Sequence, residues 1–137
     1  GTISNIEKIS IYLNSLNIKN IKLSVSAPFH CELMKTATEL VRNELAKIVF
    51  KDFQTPLISN VTAQDIDNSL LIRDLLVRQI ESRVRWRESI NYMIKNGVNN
   101  FIEIGPGKVL SGLVKRIDKT VKVSAINIEE DINKIKI

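Results

Sequence analysis

The chain has 137 residues but only one cysteine, one histidine and one tryptophan, with three prolines and five glycines. A single cysteine excludes an intramolecular disulfide and suits a reducing compartment, so a cytoplasmic location is expected. One histidine and no cysteine pair exclude the usual zinc sites, and no carboxylate spacing suggests another metal site. No apolar run reaches the roughly 18 residues that a membrane-spanning helix needs. The opening, GTISNIEKIS, has no cationic segment followed by an apolar one, so no secretory leader is expected in this stretch. Aromatics are sparse, at two tyrosines, one tryptophan and four phenylalanines. The basic residues are scattered rather than gathered in one patch, which argues against a nucleic-acid surface. The net charge of +5 suits an acidic protein or an anionic small molecule equally well.

What remains is ordinary globular composition, 44% hydrophobic and 26% charged, in a length that suits one domain. Ile6, Ile9, Leu13 and Leu16 recur at helical spacing between Ile3 and Leu16, and IKLSVSA then alternates as a strand should. Leu33, Ala37, Leu40, Val41, Leu45 and Ile48 mark one face of a second helix. TPLISNV reads as a short strand led in by Pro56. Helices follow over about 68–82 and 87–96, the second stopped by Gly97. VNNFIEI is a buried-type strand running into Gly105-Pro106-Gly107. KVLSGLVKRI is a helix expected to turn Val109, Leu110, Leu113, Val114 and Ile117 inward, and KVSAINI is a last strand. Strands alternating with helices predict an α/β fold with a largely parallel sheet. The opening helix and strand cannot make a sheet alone, so the sequence reads as starting partway through a fold.

The candidate chemistry gathers in SVSAPFHCELM, where His30 and Cys31 stand side by side. Taken alone, a single histidine at a strand end reads more readily as structural than as catalytic. Neighbours on an extended strand face opposite ways, so Cys31 is badly placed for activation by His30 and reads as a small buried hydrophobe. A serine nucleophile needs a strained elbow of the G-x-S-x-G kind, and no serine here is framed that way. The chain therefore offers a candidate base and no nucleophile. The Gly105-Pro106-Gly107 turn has two readings, a phosphate cradle at a helix N-terminus or a sharp strand-to-helix reversal.

Four blocks, VSAPFHCELM, LISNVTAQ, LLVRQIESRVRWRESINYM and FIEIGPGKVLSGLVKRI, closely resemble in order and spacing the malonyl-CoA:acyl carrier protein transacylases of bacterial fatty-acid synthesis. The resemblance covers residues 1 to about 128 and leaves the tail EEDINKIKI uninformative. It implies the C-terminal part of an α/β-hydrolase-like acyltransferase core over residues 26–137. Residues 1–25 would be the last helix and strand of an inserted ferredoxin-like subdomain. The serine elbow, a glutamine-bearing oxyanion loop and an arginine for the malonyl carboxylate would all lie outside this sequence.

The resemblance also implies roles for particular residues. His30 matches the catalytic base, and Gln79 matches the residue whose main-chain carbonyl accepts the histidine Nδ1 proton. A carbonyl there orients the ring without adding an anion that would repel the malonyl carboxylate. Phe29 is expected to favour malonyl over methylmalonyl by filling the space of an α-methyl, a preference worth only ~1–3 kcal/mol. Asn60, with Val61, would lie near the site and contribute to substrate binding. Lys19, Lys22, Lys115 and Arg116 are candidates for steering the acidic acyl carrier protein, against a plain reading as solvated side chains.

The implied reaction moves malonyl from malonyl-CoA to the phosphopantetheine thiol of acyl carrier protein by a Ser-His ping-pong mechanism, without a cofactor, metal, nucleic acid or membrane. The full-length enzyme is expected to be monomeric. This chain alone, lacking the serine, is expected to be inactive and poorly soluble. Two other readings stay open: a non-catalytic half that binds acyl carrier protein or complements another chain, and a small basic nucleic-acid-binding protein.

Overall fold

A computed structural model describes residues 1–66 and 68–134. The chain forms two units, Gly1–Gln54 with Asn68–Val84, and Thr55–Asp67 with Arg85–Ile137.

In the first unit, α1 (Ile3–Ser15) starts where the Thr2 hydroxyl accepts the Asn5 N–H at 3.4 Å. It stops at a left-handed Asn17, φ 56°. There the N–H groups of Asn17 and Ile18 return to the carbonyls of Asn14 (3.0 Å) and Leu13 (2.9 Å), a Schellman closure with asparagine in the usual glycine place. Ile6, Ile9 and Leu16 are exposed, so the apolar periodicity made a helix without finding a core.

The predicted strand at IKLSVSA is not one of the strands among the described residues, and Ile21, Leu23 and Val25 lie exposed. Alternation alone cannot make a strand, because the ladder bonds come from a neighbour. After a 3-10 turn at Glu32–Met34, α2 (Lys35–Leu45) buries Thr38, whose hydroxyl bonds back to the Met34 carbonyl at 3.3 Å. The apolar face predicted for α2 is largely open: Leu33, Leu40, Val41 and Ile48 are exposed.

Helix α3 (Ser69–Arg78) begins at Asn68, whose side-chain oxygen accepts the Leu70 N–H at 2.8 Å, and it buries Ile72 and Val77. It packs on α2. Arg73 reaches from α3 to the carbonyls of Leu45 (3.0 Å) and Ile48 (2.7 Å), answering acceptors that the end of α2 leaves open. Its guanidinium also lies 5.9 Å from the centre of the Phe50 ring.

The second unit opens with a hairpin, β1 (Leu57–Ile58) antiparallel to β2 (Asp65–Ile66), so the sheets of this chain are not all parallel. The Ser59 hydroxyl organises its turn by accepting the N–H groups of Val61 (3.1 Å) and Thr62 (3.3 Å). Helix α4 (Trp86–Lys95) ends on Gly97, φ 90°, in a second Schellman closure, where Val98 N–H meets the Met93 carbonyl at 3.0 Å. Strand β3 (Asn100–Ile104), helix α5 (Val109–Ile117) and strand β4 (Lys122–Ile126) then form a β-α-β unit. Its strands pair in parallel from Asn100↔Lys122 to Ile104↔Ile126. Ile90, Val114 and Val121 make the buried core, with Trp86, Phe101, Ile117 and Val123 against them. On α5, Val114 is buried while Val109 and Leu110 are exposed, contrary to the predicted inward face.

The start of α5 is capped from β3. The Glu103 carboxylate accepts the N–H groups of Leu110 (3.1 Å) and Ser111 (2.7 Å). Ser111 holds the Glu103 carboxyl below its ordinary range, through its side chain first and then its N–H, with Leu110 adding to it. The two main-chain bonds tie the start of α5 to β3. Thr120 lowers Asp118 in the same sense. Asp131 is lowered to about 2, chiefly by Lys134 and then by the Asn127 N–H.

All three shifts are downward, so the unfolded chain binds the extra protons as the solution is acidified. Their contribution is present above the ordinary carboxylate range and is lost as pH falls through the folded values, the last of it near pH 2. Thermal unfolding at pH 3 should therefore come earlier than at pH 6, and Glu103→Gln should shrink that difference. An unchanged difference in the variant would refute the role of Glu103.

Candidate active site

His30 sits on an exposed loop in the first unit, in left-handed backbone with φ 61°. An L-residue with a side chain beyond asparagine pays roughly 1–2 kcal/mol for that conformation, and such outliers gather at functional sites. The strand end expected here is thus a turn. Cys31 follows with extended backbone, and its Sγ donates to the Pro28 carbonyl at 3.1 Å, so the thiol is tied into the loop.

Two bonds join His30 to the end of α3. Its main-chain N–H donates to the Ile80 carbonyl at 3.1 Å. Its ring Nδ1 lies 2.8 Å from the Gln79 carbonyl. A carbonyl can only accept, so Nδ1 carries the proton and the neutral ring keeps its lone pair on Nε2. That is the arrangement a general base needs. The structure thus brings His30 and Gln79 together through main chain, and the identity of the side chain at 79 does not enter the bond. Helix α3 makes this possible by ending at Arg78, four residues before the predicted end, with Gln79 as its cap.

The other candidates fall as follows. Phe29 is exposed beside His30, with its N–H on the Ala27 carbonyl at 3.0 Å. Asn60 belongs to the second unit, in the β1–β2 turn, where its carbonyl accepts the Arg85 N–H at 3.0 Å. Arg85 also donates through Nη1 to the Thr62 carbonyl at 3.0 Å, pinning that turn to the start of α4. Sequence reading missed this bridge, since an arginine on main-chain carbonyls has no pattern to find.

Lys115 is not simply a solvated charge. Its Nζ donates to the carbonyls of Lys119 (3.2 Å) and Val121 (2.6 Å), closing the loop after α5. Lys19, Lys22 and Arg116 are exposed. At Gly105-Pro106-Gly107 the phosphate reading loses to the bland one. Gly105 and Gly107 have φ 138° and 95°, and the N–H groups of Leu110 and Ser111 at the start of α5 are already taken by Glu103. Among the described residues no cluster of three or more His, Cys, Asp or Glu could hold a metal, and no helix is long and apolar enough to cross a membrane.

No family model matches the chain. Individual relatives do. The chain is 44% identical over 133 residues to the malonyl CoA-acyl carrier protein transacylase of Bacillus subtilis, covering 96% of this chain and 42% of that enzyme. It is 47% identical over 107 residues to the Escherichia coli enzyme of the same name, 78% of this chain and 35% of that one. By sequence, this chain is a homologue of part of the malonyl CoA-acyl carrier protein transacylases.

Its fold agrees. The structure of MCAT from Streptococcus pneumoniae superimposes with a TM-score of 0.88 at 38% identity, covering 98% of this chain and 44% of that one. A malonyl-transacylase solved in complex with its type II PKS acyl-carrier protein gives 0.89 at 35% identity, over 98% and 44%. This α/β chain therefore spans less than half the length of the transacylases it matches.

Proposed function

We propose that this chain is the histidine-bearing, C-terminal part of a malonyl-CoA:acyl carrier protein transacylase. The observation that carries the reading is the pairing of His30 Nδ1 with the Gln79 carbonyl, in a chain 44% identical to the Bacillus enzyme over 133 residues. Residues 26–137 would belong to an α/β-hydrolase-like core, and residues 1–25 would close an inserted ferredoxin-like subdomain. The exposed Ile102 and Ile104 on the outer face of β3 support this, because parallel sheets are ordinarily covered on both faces.

In the proposed reaction a serine outside residues 1–137 gives its proton to His30 Nε2 and attacks the thioester carbonyl of malonyl-CoA. His30 then protonates the departing CoA thiolate, leaving malonyl on the serine. In the second half His30 takes the proton of the phosphopantetheine thiol on acyl carrier protein. The thiolate attacks the acyl-serine, and the proton returns to the serine oxygen. One thioester is exchanged for another, so no external driving force, cofactor or metal is needed. Phe29, next to the base, would bias the site toward malonyl over bulkier acyl groups. Lys19, Lys22 and Arg116 would attract the acidic acyl carrier protein from solution, with Lys115 engaged instead in its own loop. The complete enzyme is read as a cytoplasmic monomer.

The decisive experiment is intact mass spectrometry with malonyl-CoA, run on residues 1–137 alone and on a hybrid in which they replace the matched segment of the Bacillus subtilis enzyme. The hybrid should gain one malonyl group and pass it to holo acyl carrier protein, while the chain alone stays unmodified. Malonyl on the chain alone would overturn the assignment of the nucleophile, and a hybrid that folds but never acylates would overturn the reading. Because the partner of Nδ1 is main chain, Gln79→Ala should keep transfer in the hybrid within a few-fold. A loss as large as that of the His30 variant would mean the side chain itself acts.

A further inference from the structure

The His30 loop is held from two directions. Within the loop, Phe29 N–H meets the Ala27 carbonyl and Cys31 Sγ meets the Pro28 carbonyl. Of the hydrogen bonds described for residues 27–31, the two made by His30 reach another element. Both land on the turn that ends α3, on the successive carbonyls of Gln79 and Ile80.

One bond at Nδ1 cannot by itself aim Nε2, because the ring can follow its backbone as the loop moves. Fixing the amide of the same residue removes that freedom. His30 has φ 61°, and a return to right-handed or extended backbone would swing its side chain away from Gln79. We infer that Ile80 is a positioning residue whose main-chain carbonyl, by accepting the His30 N–H, holds that residue in its left-handed conformation and so aims the catalytic nitrogen. Ile80 acts through backbone geometry and touches no substrate. The end of α3 then does for this histidine, with two dipoles, what a carboxylate does in an aspartate triad, and orients it at ring and backbone together. Ile80 owes its own place to the bond from its N–H to the Val77 carbonyl at 3.2 Å.

The inference rests on His30 being the base, as proposed above, but its test does not need turnover. His30 is the only histidine, so a ¹⁵N,¹³C-labelled chain shows one imidazole spin system. Long-range HNCO should detect coupling from the His30 nitrogen to the Ile80 carbonyl carbon, and ring ¹⁵N shifts should report the Nδ1–H tautomer. Ile80→Pro removes the N–H that meets Val77 and disfavours the helical backbone of Gln79, where φ is −63°. It should speed exchange of the His30 amide by about tenfold or more, the loss expected for one hydrogen bond, and release the ring to mixed tautomers. Gln79→Ala should change neither signal.

A wild-type ring in the Nε2–H form, or no coupling with an unprotected His30 amide, would overturn the inference. So would an Ile80→Pro chain that loses amide protection yet keeps the Nδ1–H ring. If Ile80→Pro unfolds, the wild-type coupling and tautomer decide. An intact clamp in a hybrid that transfers no malonyl would count against the transacylase reading and leave the clamp standing.

Discussion

His30→Asn in the hybrid transacylase is expected to lower malonyl transfer by about 10²- to 10⁴-fold, the range over which a positioned acid-base group acts. Asparagine suits the test because it tolerates left-handed backbone, so the variant keeps the φ of 61° with little strain and loses only the imidazole. Its amide cannot take the serine proton or return it to the leaving thiol. The loss should appear in kcat and kcat/KM together, since the proton transfer belongs to the transition state. Steady-state transfer to acyl carrier protein checks this, with circular dichroism confirming the fold. A loss below about tenfold would mean that the working base lies elsewhere, since general acid-base help is worth more than that.

The largest effect on stability is expected at Ile90. It is 1% exposed and lies among Val114, Val121, Trp86, Met93 and Phe101, joining α4 to the β3–α5–β4 unit. Truncation to alanine removes three buried carbons and leaves a cavity that a close-packed cluster only partly fills, for a cost of about 2–5 kcal/mol. A domain's whole stability is only about 5–15 kcal/mol, so urea unfolding of the Ile90→Ala chain should show a much lower midpoint.

Ile104→Ala is the matched control. Ile104 is 79% exposed, and in this chain the change should stay within about 0.5 kcal/mol. In the hybrid the same substitution should cost more, because the proposed remainder of the transacylase would cover that face. Equal costs in both settings would argue that Ile104 stays uncovered.

Legibility differed by element for a physical reason. Helices α4 and α5 could be read because capping and periodicity are local, and Gly97 at the end of α4 announces itself by residue type. The pair β3 and β4 was readable as well, since two apolar runs flank a helix of the right length. The segment IKLSVSA has the alternation of a strand and no place among the described strands. Pairing depends on a second segment, and alternation within the first cannot reveal it. The early end of α3 was hidden in the same way, since the apolar spacing runs on past Arg78.

The order of residues sets out the side chains on offer: a single histidine, no framed serine, and four ordered blocks that resemble the transacylases. The distances at which the histidine is held, and its main-chain bond to Ile80, come only from the folded chain. Its contacts come from main-chain carbonyls, one of them 49 residues away along the chain. Every residue carries such a carbonyl, so side-chain chemistry marks neither; the resemblance pointed to Gln79, whereas the Ile80 carbonyl is visible only in the fold. The fold also decided that Lys115 closes a loop and that Glu103 occupies the start of α5, both across distances that local sequence does not encode. Side-chain identity is written in the sequence, whereas the direction of a backbone dipole exists only once the chain has folded around it.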